Sequence, residues 1–500
     1  MNRRAPALAW ALVLLGCAGP AAAHIMQVPY NLPVPFWMYA YGATGALIAS
    51  FVVVGYFVKA DTAQRTLRSY DLSGSRFARV FAHPALLGAL RIVSVFLLAL
   101  TIATGLFGTA YASANFNMTF FWIVFLLGFT YLTAFIGDLY SVVGPWLVVC
   151  EWIERVWRDA FRPRLVYPRW LGYYPALAFY MALIWLELFG KTSPRSLSIA
   201  LLIYTVINFG GAWVFGRTAW FRHGELFAVF LRLIAKIAPL DIVPGPARGE
   251  RPRLRLRRPF AGLVAERADH FSLILFVLFM LSSTAFDGIH DTVPWVAIFW
   301  RGVYPVLATF VGTHSAQPYL VLVEFYYYWQ WLMLFLSPFI YLAIYLGFVA
   351  LAKLVTRTDK PLGELALAFA YSLIPIALVY NMTHYFTLLL SQAPSIVPLL
   401  SDPFGFGWKL LGSTSADAQP IILDAGFIWH TQVWLILFGH IVSVYLSHVE
   451  ALKVFKTSRQ ALLSQIPLLL LMVALTTIGL WILSLPIAAG QVLLPTPGSG

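Results

Sequence analysis

Acids and imidazoles are scarce in this chain, and they gather where apolar segments end. Asp287-Gly288-Ile289-His290-Asp291 places carboxylates and an imidazole at i, i+3 and i+4. On a helix these positions share one face. Carboxylate plus imidazole suits a divalent metal such as Zn, Mn or Cu. The plain alternative is a polar turn that caps the outer end of an apolar segment. His384, in Asn381-Met382-Thr383-His384-Tyr385-Phe386, has Asn381 and Thr383 beside it for a local polar network. As a lone histidine in an apolar segment, it reads equally as a ligand or as a hydrogen bond to a neighbouring helix.

The stretch Phe427–Leu452 carries His430, His440 and His448. At helical rise the first two lie roughly 15 Å apart along the axis and the last two about 12 Å, so no two can hold one ion. Any site here must recruit partners from other helices. His430 is expected at a depth similar to that of His384. His440, deepest and beside the small Gly439, needs a partner of its own. His430 and His448 are five turns apart and project from the same face. Two further acids, Glu187 and Glu324, stand near the outer ends of their segments. Glu324 precedes the aromatic run Phe325–Trp331, which reads as an interface belt or as the wall of an apolar pocket.

These residues sit in 500 residues that are 60% hydrophobic and 11% charged, with mean hydropathy +0.78. Such a composition belongs to an all-α, polytopic transmembrane helix bundle. Residues 1–23 read as a signal peptide: Arg3 and Arg4, an apolar Ala7–Leu15, then Ala21-Ala22-Ala23. Leu14-Leu15-Gly16-Cys17 is a competing lipobox. Cleavage after Ala23 would expose His24, whose amine and imidazole together could chelate copper. It would also leave Cys150 as the single cysteine, so no intramolecular disulfide could form.

Residues 24–500 then form one membrane domain with ten spans, near 36–58, 86–110, 119–144, 171–190, 198–216, 270–286, 318–352, 364–390, 427–449 and 463–488. The seventh is too long for a straight crossing, so it should kink at Pro338 or begin with a partly embedded segment. Loops after the odd-numbered spans hold 27 Lys and Arg, against 4 in the opposite loops. The positive-inside rule therefore places both termini in the periplasm of a bacterial inner membrane. The net charge of +13 is accordingly topology rather than a nucleic-acid footprint. In the basic cytoplasmic loop 217–269, Glu225–Leu240 is expected to lie in the membrane interface and Arg248–Arg258 to hold anionic lipid headgroups. The periplasmic loops are 287–317, which is apolar enough to dip back into the membrane, and 391–426.

Trp220–Phe227, Thr284–Gly288, Thr383–Phe386 and the stretch from Gly439-His440 to Ser447-His448 resemble bacterial membrane proteins described as fenitrothion hydrolases. The resemblance runs over most of the chain. It implies hydrolysis of an apolar organophosphorus triester, with a nitrophenol released from a dialkyl thiophosphate. It brings no established catalytic residues.

Set beside the residues, this reading expects a divalent metal held by His384 and His430 with Asp287 or His290, and Glu324 or Asp291 as base. His440, Glu187 and His24 are further candidates. The competing reading is a transporter of metal ions or small solutes, with His430, His440 and His448 as a ladder. A haem held by membrane histidines is a third.

Overall fold

In lipid, every backbone N–H and C=O must be paired inside its own segment, so long apolar runs fold as helices. The computed structural model describes residues 35–59, 68–243, 252–311, 318–413 and 419–485. The signal segment and His24 lie outside them. Eleven helices among the described residues are long and apolar enough to cross a membrane, and the chain is a multi-pass membrane protein.

The principal helices are α1 (Phe36–Phe57), α2 (Pro84–Phe107), α3 (Phe116–Ile136), α4 (Tyr174–Leu188), α5 (Pro194–Phe215), α6 (Leu226–Ala235) and α7 (Phe271–Ile289). They continue with α8 (Val293–Phe310), α9 (Pro318–Thr356), α10 (Leu362–His384), α11 (Ala425–Val454) and α12 (Ser458–Ser484).

The centre of the bundle is α7. It is apolar around its whole circumference, and every residue from Ser272 to Asp287 is buried. It packs on α4, α9, α10 and α12, while α10 and α11 pack on each other and α1 lies against α11 and α12. The α10–α11 contact is close because Gly439 has no side chain. A Cβ there would sit 2.3 Å from Val379 Cγ2 and 3.1 Å from the Pro375 carbonyl.

Each of the ten expected segments is helical over most of its described residues. The eleventh, α8, falls within the expected loop 287–317. Its mean hydropathy is 1.2, against 2.4 for α12, and only 6% of it is buried. Pro294 lies in the first turn of α8, where a missing N–H costs nothing. The long seventh span is one helix of 39 residues. At helical rise this is about 58 Å, roughly twice the hydrocarbon thickness. Pro338 lies inside it. The Leu334 carbonyl, which Pro338 cannot serve, accepts instead from Ser337 Oγ at 2.8 Å.

One loop expectation is corrected. Glu225–Leu240 does not lie on a surface: α6 is buried at Leu226, Phe227, Val229, Leu231, Leu233, Ile234 and Ala235, because its apolar residues leave no wide polar face. Glu225 caps it, accepting from the N–H of Phe227 at 3.1 Å and of Ala228 at 2.6 Å. The described part of Arg248–Arg258 is largely extended. Arg253–Arg257 forms β3, the middle strand of a small antiparallel sheet between β1 (Ser69–Asp71) and β2 (Leu240–Val243).

Substituting Gly439→Ala should overpack the α10–α11 contact and cost about 1–3 kcal/mol. A thermal unfolding midpoint in detergent equal to that of the wild type would contradict this packing.

Candidate functional site

Three helices end together at one side of the bundle, and each brings a polar side chain. Glu187 is in the last turn of α4, Asp287 in the last turn of α7, and His384 is the final residue of α10. Tyr385 follows directly. The helix stops there with φ −93° and ψ 9°, while the Tyr385 N–H still bonds the Asn381 carbonyl at 3.0 Å.

The side chains form one hydrogen-bonded chain. His384 Nε2 lies 2.7 Å from Asp287 Oδ2, and their side chains are 12% and 4% exposed. Tyr385 Oη lies 2.7 Å from the same Asp287 oxygen and 2.9 Å from Glu187 Oε1. A phenol has one proton and cannot donate to both carboxyl groups. Asp287 Oδ2 already faces the imidazole N–H, so it is the acceptor from Tyr385. The second contact is then a hydrogen bond from a protonated Glu187 to the phenol oxygen. The resulting order is Glu187 carboxyl, Tyr385 hydroxyl, Asp287 carboxylate, His384 imidazole.

Glu187, Asp287, Tyr385 and Asn381 line a cavity of about 30 Å³. That is room for about one water. Its other walls are apolar side chains of α3, α4 and α6, among them Leu126, Leu127, Leu183, Phe227 and Phe230, together with Tyr180 and the hydroxyl-bearing Ser283 and Thr284 of α7. Over Thr119–Phe129, α3 winds as a π-helix, an irregularity found mostly at functional sites. Around the cavity, Tyr131 Oη donates to Asn381 Oδ1 at 2.9 Å, and Gln432 Nε2 to the Thr383 carbonyl at 2.8 Å.

The expected site residues divide into two groups. Asp287, His384 and Glu187 come together. His290 adjoins them through the backbone: its Nδ1 bonds the Asp287 carbonyl at 2.9 Å, and its ring stacks on Phe286. Asp291, 3.5 Å from His290 Nε2, is half exposed, and Glu324 is exposed on α9. Neither lines the cavity, so neither is placed to act as base there.

His430 does not join His384. Gln432 carries the contact with α10, and His430 stands about 200° around the helix from it. Its exposed ring lies 6.4 Å from that of Tyr39 on α1. His448 does face the same way as His430, with its Nε2 3.0 Å from the Val58 carbonyl. His440 points elsewhere, buried, with Nδ1 bonded to the Ile436 carbonyl of its own helix at 2.8 Å. The three histidines do not form a ladder.

The donor set does not fit a metal held by three side chains. Among the described residues, no three His, Cys, Asp or Glu side chains converge to hold one ion. Asp287 Oδ2 and His290 Nδ1 are engaged in the bonds given above. Cys150 is buried, which pushes its thiol up to about 12, so it stays protonated and unreactive.

The amino-acid order alone does not single out Tyr385 as a site residue. Its only signal was adjacency to His384, and an aromatic residue is ordinary in an apolar segment.

Replacing Tyr385 by Phe should leave the two carboxyl groups without their bridge and cost about 1–3 kcal/mol, read as a lower unfolding midpoint. A protonated-carboxyl infrared band is expected in the wild type and should vanish in Glu187→Gln. If the band persists in that variant, the proton is assigned to the wrong group. No protein-family model, curated protein or solved structure matches the chain.

Proposed function

We propose that the protein is a membrane-embedded hydrolase of apolar organophosphorus triesters such as fenitrothion, working by paired-carboxylate acid–base chemistry. The observation that carries this reading is a pair of carboxyl groups, Asp287 and Glu187, joined through Tyr385 on the wall of a water-sized cavity. Such a pair, with the two groups held in opposite protonation states by their surroundings, is the arrangement that general acid–base hydrolysis needs.

Asp287 takes a proton from the cavity water as that water attacks phosphorus. His384 holds the carboxylate in place and stabilises its charge. Glu187 delivers its proton, through Tyr385 or directly, to the departing phenolate oxygen. The substrate class rests on the family resemblance. It accords with the apolar walls from α3, α4 and α6, since a lipid-soluble triester would reach the site through the bilayer. Among the described residues no three His, Cys, Asp or Glu side chains converge on one ion, so the proposed steps use side chains alone.

The finer placement belongs to the same proposal. The protein lies in a bacterial inner membrane with both termini periplasmic. Under that orientation α8 does not cross: an eleventh crossing would move the basic loops at 353–360 and 453–459 to the outer side, against the positive-inside rule.

The test is nitrophenol release from fenitrothion by the purified protein in lipid vesicles. Asp287→Asn and Glu187→Gln should each lower kcat by about 10²–10⁴, while chelator leaves the wild type active. Full activity in Asp287→Asn overturns the reading. So does activity lost to chelator and restored by Zn or Mn.

A proton-coupled carrier is a second reading, favoured by the same chain of four titratable groups among membrane helices. It predicts flux of solute or metal into proteoliposomes driven by a pH gradient, with no turnover of triester.

A further inference from the structure

The small sheet at the other side of the bundle has an apolar face that outruns the helices beneath it. Alternate strand residues share a face, so Ile242, Leu254 and Leu256 point the same way, and Tyr70 pairs with Leu256 across the strands. Ile242 and Leu254 are buried against Ala78, Leu87, Val142 and Val143. Further along the same face, Leu256 is 40% exposed and Tyr70 66%. Above them opens a cavity of about 570 Å³, flanked by Pro239 and Pro259 and rimmed by Arg68 and Arg258.

The charges around this cavity are uneven. Arg257 also borders it, but its guanidinium is committed to the Ala235 and Ala238 carbonyls and to Asp241, at 2.8, 3.0 and 3.0 Å. Asp241 is thereby engaged, and Asp71 accepts from the Ser73 N–H at 2.8 Å. Among the described residues, no carboxylate lines the cavity, and Arg68 and Arg258 are both exposed. The site thus combines two cations with an apolar floor of Tyr70 and Leu256. Its strand β1 lies in the chain between the end of α1 and the start of α2, and the sheet packs on Leu87 in the first turn of α2.

We infer that this cavity binds the headgroup of an anionic phospholipid, with the phosphodiester between Arg68 and Arg258 and the glycerol end of the acyl chains over Tyr70 and Leu256. Charge complementarity selects an anion. The apolar floor selects one attached to lipid rather than a free one. The inference is independent of the proposed chemistry, which lies at the opposite helix ends.

The test is thermal unfolding of the full chain in uncharged detergent, titrated with phosphatidylglycerol or with phosphatidylcholine of the same acyl chains. Phosphatidylglycerol should raise the midpoint saturably and phosphatidylcholine should not. In Arg68→Gln/Arg258→Gln the half-saturating concentration should rise about 25-fold, at roughly fivefold per arginine. In the wild type, high salt should weaken the effect, a reading that needs no variant. Equal response to phosphatidylcholine overturns the inference, as does an unchanged titration in the double variant. Competition by soluble glycerol phosphate at the lipid's own concentration would make this a free-phosphate site and also overturn it.

Discussion

A carboxylate in the most deeply buried helix is the constraint on which the rest of this arrangement depends. Asp287 closes α7, whose preceding residues are buried without interruption from Ser272. An ion in such surroundings costs several kcal/mol unless hydrogen bonds and an opposing charge offset it. Tyr385 and His384 supply that offset, and both come from the end of α10. Glu187 then has to arrive from α4 to complete the second bond of the phenol. The convergence of three helix ends, and the stop of α10 at Tyr385, are therefore requirements of one buried charge. The contact between α10 and α11 at Gly439 holds the other side of the same helix.

The cavity beside this network sets a scale for function. Room for about one water suits the nucleophile of a hydrolysis and does not suit a triester. Under the proposed reading, a substrate would have to displace leucine and phenylalanine side chains of α3 and α6, the two walls built least like ordinary spans. One of them is wound as a π-helix and the other is a short buried helix between a carboxylate cap and a strand. Both walls are apolar, so an incoming apolar molecule would replace like with like.

The two sides of the bundle use charge in opposite ways. Around Asp287, ionisable groups are buried and mutually satisfied. Around the sheet, arginines divide between structural duty, as with Arg257, and open presentation, as with Arg68 and Arg258. The difference follows from surroundings. Guanidinium groups reach water or headgroups from the end of a helix bundle, whereas the buried carboxylate at the top of α7 depends on neighbouring side chains for its hydrogen bonds.

Much of this was legible in the amino-acid order, because it depends on local properties. Apolar runs placed ten helices, and their composition decided that these were membrane helices. Gly439 announced a close approach, and Asp287 with His290 announced a polar turn at the end of α7. What remained undecided was every contact set by the rotation and neighbours of helices. Asp287 and Tyr385 are 98 residues apart, and Glu187 and Tyr385 198, so no spacing rule connects them. His430 and Gln432 differ by two positions, yet that step of about 200° separates a ring against α1 from an amide against α10. The sequence alone thus determined which segments enter the membrane and which residues are costly there. Only the tertiary structure decided which of those residues meet, because pairing depends on helix rotation and neighbour choice, and an apolar helix leaves both unspecified until it packs.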